Sequence, residues 1–120
     1  MDKKRLSVLW DRLVDHFTDR FSADERIDVD GILFLIGVQE LGQLGRKFKK
    51  DEKIDLLHIA ICRLLMPFGY YTFKGIDDQG WPHYESTDKL PTLKPGEQTI
   101  LIKQAIVEYA LENEWLKENG

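Results

Sequence analysis

Apolar residues recur at the spacing of one helix face in four stretches of the chain, and each stretch predicts an α-helix. The first runs from Asp2 to about Arg20, with Asp2 as its N-cap. The third begins at Asp51 and ends before Pro67, because a proline disfavours the helical conformation in the residue that precedes it. The core stripe predicted for this third helix is Ile54, Leu57, Ile61, Leu64 and Leu65.

Two of the predicted helices are apolar on both sides. The second runs from Asp28 or Asp30 to about Phe48, and the fourth runs from Pro95 to about Leu116. A helix that is apolar on both sides needs packing partners on both sides. A homodimer that buries the spare apolar sides is the simplest way to supply those partners, so we expect the chain to form one.

Glycines interrupt the second predicted helix at Gly37, Gly42 and Gly45. Each glycine lowers the intrinsic stability of a helix by up to about 1 kcal/mol relative to alanine. We expect the backbone of a neighbouring element to pack closely against Gly37, and the helix to fray or be capped near Gly45.

The segment from Gly69 to Glu85 is the one part of the sequence that predicts β-structure. Residues Tyr70 to Ile76 are rich in aromatic and β-branched side chains, and Asp77 to Gly80 has the composition of a tight turn. We therefore expect a β-hairpin between the third and fourth helices. The predicted fold class is mainly α (α+β), a four-helix domain with this one hairpin.

Strand alternation assigns the hairpin residues to two faces. The predicted turn places Lys74 opposite His83 and Ile76 opposite Trp81. The face expected against the core consists of Tyr71, Phe73, Pro82 and Tyr84. The face expected in water consists of Thr72, Lys74, His83 and Glu85.

Composition changes this picture only by excluding classes of protein. A chain of 120 residues fits a single globular domain spanning residues 1–120. Its longest apolar run, Ile32 to Val38, has seven residues, far fewer than the roughly 20 that a membrane span needs. The apolar stretch near the N-terminus is too short for a signal peptide, and the single Cys62 excludes an intrachain disulfide. We therefore expect a cytoplasmic protein with no membrane association.

Two short motifs resemble known sites but fail in their spacing or context. Asp28 to Gly31 resembles part of a calcium loop, yet the twelfth loop position, which needs a glutamate, is Gly37. Gly42 to Gly45, followed by the basic cluster 46–50, resembles the GXXG loop of KH domains. No strand order of that type is present, and the net charge is −4. Nucleic acid binding through residues 46–50 is therefore only a minor alternative.

Signatures of nucleotide, zinc and hydrolase sites are absent from the sequence. His58 and Cys62 stand four residues apart on the third predicted helix, but metal sites need three or four ligands. We expect no metal site, no cofactor and no catalytic residue, and we regard an enzymatic role as uncertain.

The hairpin carries the residues most suited to binding. The candidate binding face consists of Lys74, Ile76, Trp81, His83 and Glu85, with His58, Arg46 and Lys47 as secondary candidates. Histidine and glutamate can share a proton near neutral pH, and tryptophan is enriched in the energetically dominant parts of interfaces.

Besides the minor alternative of nucleic acid binding, these observations leave two hypotheses for the function. The first is a small non-enzymatic, cytoplasmic protein-interaction or regulatory domain that acts as a homodimer. The alternative is a small-molecule-binding protein or an enzyme that uses the Lys74, His83 and Glu85 face of the hairpin. It requires these groups to lie in a concave pocket and not on a flat surface.

Overall fold

Four helices and a two-stranded antiparallel hairpin make up the fold in a computed structural model that describes residues 1–21, 24–43 and 46–117. The hairpin lies between the third and fourth helices, so the predicted fold class is confirmed. In chain order the elements are α1 (Lys3–Arg20), α2 (Val29–Leu41), α3 (Lys50–Leu65), a short 3-10 turn (Met66–Phe68), β1 (Tyr71–Ile76), β2 (Pro82–Ser86) and α4 (Pro95–Glu112).

The chain divides into two compact units. One comprises Met1–Ile32 together with Leu93–Gly120, and the other comprises Leu33–Thr92. The hairpin, α3 and most of α2 belong to the second unit. The single domain expected from chain length stays a prediction.

Helices α1 and α4 pack together in the first unit. Helix α1 begins as predicted, because the Asp2 carboxylate accepts a hydrogen bond of 2.8 Å from the Arg5 N–H. The aromatic ring of Trp115 makes edge contacts with Phe17 and Tyr109, each at 5.3 Å between ring centroids. The buried residues of the two helices are Leu6, Leu9, Leu13, Val14, Phe17, Ala105, Ile106, Val107, Tyr109 and Ala110.

Helix α2 begins as predicted but ends earlier. The Asp28 carboxylate accepts a hydrogen bond of 2.8 Å from the Gly31 N–H, which is the role of an N-cap. The helix ends at Leu41 and not near Phe48, because Gly42 adopts a φ of +76° that terminates it. The cap predicted at Gly45 lies outside the described residues.

Helices α2 and α3 approach each other closely at Gly37, as predicted. A Cβ atom at this position would lie 2.8 Å from the carbonyl carbon of Leu56, so only glycine fits there. The stripe predicted for α3 is partly wrong, since Ile54 is 61% exposed. Helix α3 instead packs through the side that carries Leu56, which faces α2. Its buried residues are Leu56, Ile59, Ala60, Cys62, Leu64 and Leu65.

The hairpin has a bulge that the sequence did not predict. Thr72 pairs with Glu85 and Phe73 with Tyr84 as expected, but Gly75 then pairs with His83. The expected pairing of Lys74 with His83 is therefore wrong, because one extra residue of β1 is inserted at Lys74. The bulge also pairs Ile76 with Pro82 and not with Trp81.

The two faces of the hairpin follow the prediction with one exception. Thr72, Lys74, His83 and Glu85 are exposed as expected. Tyr71, Pro82 and Tyr84 are half-buried, whereas Phe73 is 49% exposed and lies edge-on against the Tyr84 ring. None of the helices in the described part of the chain is long and apolar enough to cross a membrane.

Candidate functional site

A cavity of about 380 Å³ opens where α3 meets the hairpin, inside the second unit. We call it the α3–hairpin groove. Its lining residues come from two segments far apart in sequence. They are Glu52, Asp55, His58 and Ile59 from α3, and Asp77, Gln79, Trp81, Pro82, His83 and Tyr84 from the hairpin.

One face of α3 supplies the first wall of the groove. Glu52, Asp55 and Ile59 are spaced three and four residues apart, so they share one side of the helix. The Glu52 carboxylate caps the start of its own helix by accepting a hydrogen bond of 3.0 Å from the Lys49 N–H. Among the described residues, the Asp55 carboxylate has no hydrogen-bond or ion-pair partner.

The turn of the hairpin supplies the second wall and is held together by Asp77. One carboxylate oxygen of Asp77 accepts hydrogen bonds from the backbone N–H groups of Gln79 and Trp81, at 2.9 and 3.0 Å. Gly80 has a φ of +87° and donates its N–H to the Asp77 carbonyl, as the sequence predicted for this turn. The turn therefore fixes the position of Trp81 at the groove.

The other oxygen of Asp77 lies 2.8 Å from Nε2 of His83. This hydrogen bond, followed by those from the Trp81 and Gln79 backbone, holds the pKa of Asp77 below its ordinary value. The hydrogen bond fixes the orientation of the His83 ring at the wall of the groove and occupies its Nε2 atom. Nδ1 is the ring nitrogen left for a hydrogen bond with a ligand.

Arg46 braces the groove from outside. Its guanidinium forms an ion pair with Glu52 and lies over two aromatic rings, 5.2 Å from the centroid of Phe48 and 5.7 Å from that of Trp81. Gln43 adds a weak hydrogen bond of 3.4 Å from its side-chain amide to the carbonyl of Gln79. The segment before α3 thus holds both a wall residue of α3 and the tip of the hairpin.

Two further groups near the groove keep their protons. Burial, followed by the nearby charge of Glu40, raises the pKa of Tyr84 above its ordinary value. Burial also raises the pKa of Cys62 to about 11. Because its Sγ is fully buried and lies 3.5 Å from Nε2 of His58, Cys62 is a neutral core thiol and not an activated nucleophile.

The structure divides the predicted binding face into two groups. Trp81, His83 and the secondary candidate His58 line the groove. Lys74 and Glu85 lie outside it and pair with each other at 3.5 Å, with side chains 53% and 69% exposed. Ile76 is 66% exposed, outside the groove. Arg46 braces the groove as described, and Lys47 is exposed.

Sequence reasoning missed Asp55 and Tyr84 as groove residues, and it placed Asp77 only at the hairpin tip. The spacing of Glu52, Asp55 and Ile59 was a usable signal, because it puts two carboxylates on one side of α3. No pattern in the sequence shows that the hairpin packs over this side of the helix.

A second cavity, of about 340 Å³, lies along the N-terminal half of α1. Its lining residues are Asp2, Lys4, Arg5, Val8, Leu9 and Arg12. All of them belong to one helix and its cap, so this cavity lacks the second wall that the α3–hairpin groove has.

No group of three or more histidine, cysteine, aspartate or glutamate side chains within residues 1–21, 24–43 and 46–117 is placed to hold a metal ion. The side chains that line the groove carry carboxylates, imidazoles and aromatic rings. These groups can accept and donate hydrogen bonds and attract cations.

No protein-family model, curated protein or solved structure matches the chain.

Proposed function

We propose that the protein binds a small polar molecule in the α3–hairpin groove. One observation carries the proposal: a single cavity of about 380 Å³ brings His58 together with Trp81 and His83, which lie on a different element. Ligand sites are typically concave, about 300 to 1,000 Å³ in volume, with apolar walls and a few converging polar groups. The groove has this size, and its lining is richer in polar side chains than a typical site, which suits a small polar molecule.

The groove is also prepared for binding without a ligand. The Asp77 turn and the Arg46 brace already hold Trp81 and His83 in place, so little side-chain freedom is lost when a ligand binds. The polar groups of the lining include the carboxylate of Asp55 and the imidazoles of His58 and His83. We infer that these side chains determine which ligands bind.

A fragment library tests the proposal. Backbone amide chemical shifts of isotope-labelled protein would be recorded with each fragment, and fragments that bind should shift residues 52–59 and 77–84. The substitutions His58→Asn and His83→Asn should each weaken binding roughly threefold to tenfold, the cost of about one hydrogen bond.

The chain offers a matched control for these substitutions. It contains three histidines, and His16 is exposed on α1 and is not one of the residues that line the groove. The substitution His16→Asn should leave fragment affinity unchanged. If no fragment shifts the groove residues, or if His16→Asn weakens binding as much as the groove variants do, the proposal is wrong.

Protein binding is a second candidate, favoured by two large apolar side chains that the hairpin exposes. Ile76 is 66% exposed and Phe73 is 49% exposed. The partner predicted from the sequence is a second copy of the chain. The substitutions Phe73→Thr and Ile76→Thr test this candidate, since both should weaken a contact made by the hairpin.

Two narrower expectations from the sequence stay proposals. A cytoplasmic location is inferred from the single buried Cys62, which forms no disulfide. Nucleic acid binding through residues 46–50 loses one of its cations, because Arg46 pairs with Glu52. Retention of the protein on duplex or single-stranded DNA at low salt measures what affinity is left.

A further inference from the structure

At the edge of the α3–hairpin groove, two lining residues hold an organic cation of the protein itself, the guanidinium of Arg46. Glu52 supplies the carboxylate of this pair and Trp81 supplies the aromatic ring, with the guanidinium carbon 5.7 Å from the ring centroid. Both residues line the groove. A carboxylate beside an aromatic ring is a combination that recognises ammonium and guanidinium groups.

The groove lining also contains another carboxylate and another aromatic ring, without a cation from the protein. Asp55 supplies a carboxylate that has no partner among the described residues, and Tyr84 supplies a half-buried ring. Neither lysine nor arginine occurs among the residues that line the groove. A positively charged ligand would therefore find an uncompensated carboxylate and no opposing lysine or arginine side chain in the lining.

Asp77, another charged residue of the lining, also favours a positively charged ligand. Asp77 is ionised, since its pKa lies below the ordinary value, and its negative charge is shared with His83 through the hydrogen bond of 2.8 Å. Asp55 and Asp77 thus both disfavour an anionic ligand in the groove. Ile59 and Pro82 add apolar surface for the body of a ligand.

From this geometry we propose that the groove binds a small organic cation, an ammonium or guanidinium group attached to a compact apolar body. The proposal rests on the proposed function, because it names the ligand class of the same groove. The charged group contacts Asp55, and the body packs against the Tyr84 ring and the apolar wall.

The effect of ligand charge can be measured with three compounds of similar size and shape: benzylammonium, benzyl alcohol and benzoate. Each is titrated into isotope-labelled protein at neutral pH, and the shifts of residues 52–59 and 77–84 are followed. Benzylammonium should bind tightest, and benzoate should give no saturable shifts in the groove.

Asp55→Asn is the informative variant, and Asp51→Asn is its control. Both remove one negative charge from the same helix, but Asp51 does not line the groove. The substitution Asp55→Asn should weaken benzylammonium binding roughly threefold to fivefold, the size that exposed ion pairs reach, and Asp51→Asn should not.

The outcomes distinguish this inference from the proposed function. If benzyl alcohol or benzoate binds the groove as tightly as benzylammonium, the cation inference is wrong and the binding function stands. If benzylammonium shifts only residues outside the groove, or Asp55→Asn has no effect, the inference is also wrong. If neither these compounds nor the fragment library shifts the groove residues, both the inference and the proposed function are wrong.

Discussion

Asp77 organises the hairpin tip at the scale of single residues. One carboxylate accepts two backbone N–H groups and the imidazole of His83, so the turn and the groove depend on the same side chain. These hydrogen bonds favour the ionised form and hold its pKa below the ordinary 3.8. The contribution of Asp77 to stability is therefore complete above this value, and it is lost as pH falls through the lower pKa of the folded state.

The substitution Asp77→Asn tests this role. The free energy of unfolding, measured by urea titration as pH is lowered below 3.8, should fall less steeply in Asp77→Asn than in the wild type. Asp78→Asn is the control, since Asp78 is a neighbouring carboxylate at the same tip and has no partner among the described residues. Equal pH dependence in the wild type and Asp77→Asn would show that Asp77 is not coupled to folding.

Cys62 gives a prediction at the opposite end of the pH scale. Burial raises its pKa from the ordinary 9.0 to about 11, so the folded chain keeps a proton that the unfolded chain has lost. Stability is thus unaffected below 9.0 and falls as pH rises from 9.0 toward 11, by up to about 1.4 kcal/mol per pH unit.

The substitution Cys62→Ala isolates this contribution from the titration of lysines and tyrosines. The variant is less stable at neutral pH, since it leaves a small cavity in the core. Its free energy of unfolding should nevertheless fall less steeply than that of the wild type between pH 9.0 and 11, measured under reducing conditions. Parallel curves for the two proteins would contradict a buried thiol with a raised pKa.

At the scale of elements, the contact of α2 with α3 depends on Gly37. An added Cβ would collide with the backbone carbonyl of Leu56, which cannot move aside as a flexible side chain can. The substitution Gly37→Ala should therefore lower the free energy of unfolding by about 1–3 kcal/mol, even though alanine favours the helix by about 1 kcal/mol.

Gly96→Ala is the matched control, because a Cβ at Gly96 in α4 meets no atom within 4 Å. It should stabilise the protein by about 0.4–1 kcal/mol or leave it unchanged. Chemical denaturation of both variants measures the difference. If Gly37→Ala is as stable as Gly96→Ala, the two helices do not approach each other as closely as described.

The same elements show how far the sequence determines the fold. Helical periodicity and caps predicted all four helices and the hairpin turn, because the residues concerned act within a few positions of one another. The predicted end of α2 was wrong because glycine commonly terminates a helix, and the sequence does not show whether Gly42 or a later glycine does so. The bulge at Lys74 was missed because strand alternation alone assumes that no residue is inserted.

The set of residues that line the groove could be predicted only in part from the sequence. Trp81 and His83 were selected for their chemistry, and Asp55 was missed because nothing local indicates that the hairpin covers its side of α3. Ile54 was wrongly predicted to be buried for the same reason, because an apolar stripe on a helix does not show which of its residues a neighbouring element covers.

At the scale of the whole molecule, the expected homodimer loses part of its original support. The two-sided apolar character of α2 and α4 suggested spare sides, but Ile32, Ile36 and Val107 are completely buried within a single chain. Among the exposed apolar side chains that a second copy could cover are those of Ile76 and Phe73 on the hairpin and Ile54 on α3.

Light scattering coupled to size-exclusion chromatography measures the mass over a range of protein concentrations. If the hairpin makes a dimer contact, the wild type has twice the 14.0 kDa mass of one chain, and Ile76→Thr shifts it toward the monomer. A monomeric wild type at the highest concentration would remove the homodimer and leave the groove as the site of function.

The position of a bound ligand tests the central claim most directly. Intermolecular nuclear Overhauser effects between the tightest-binding fragment and side-chain protons identify the residues that it touches. The account predicts contacts to Trp81, Tyr84 and Ile59, which line the α3–hairpin groove. Contacts confined to the α1 cavity, at Arg5 and Val8, would contradict it.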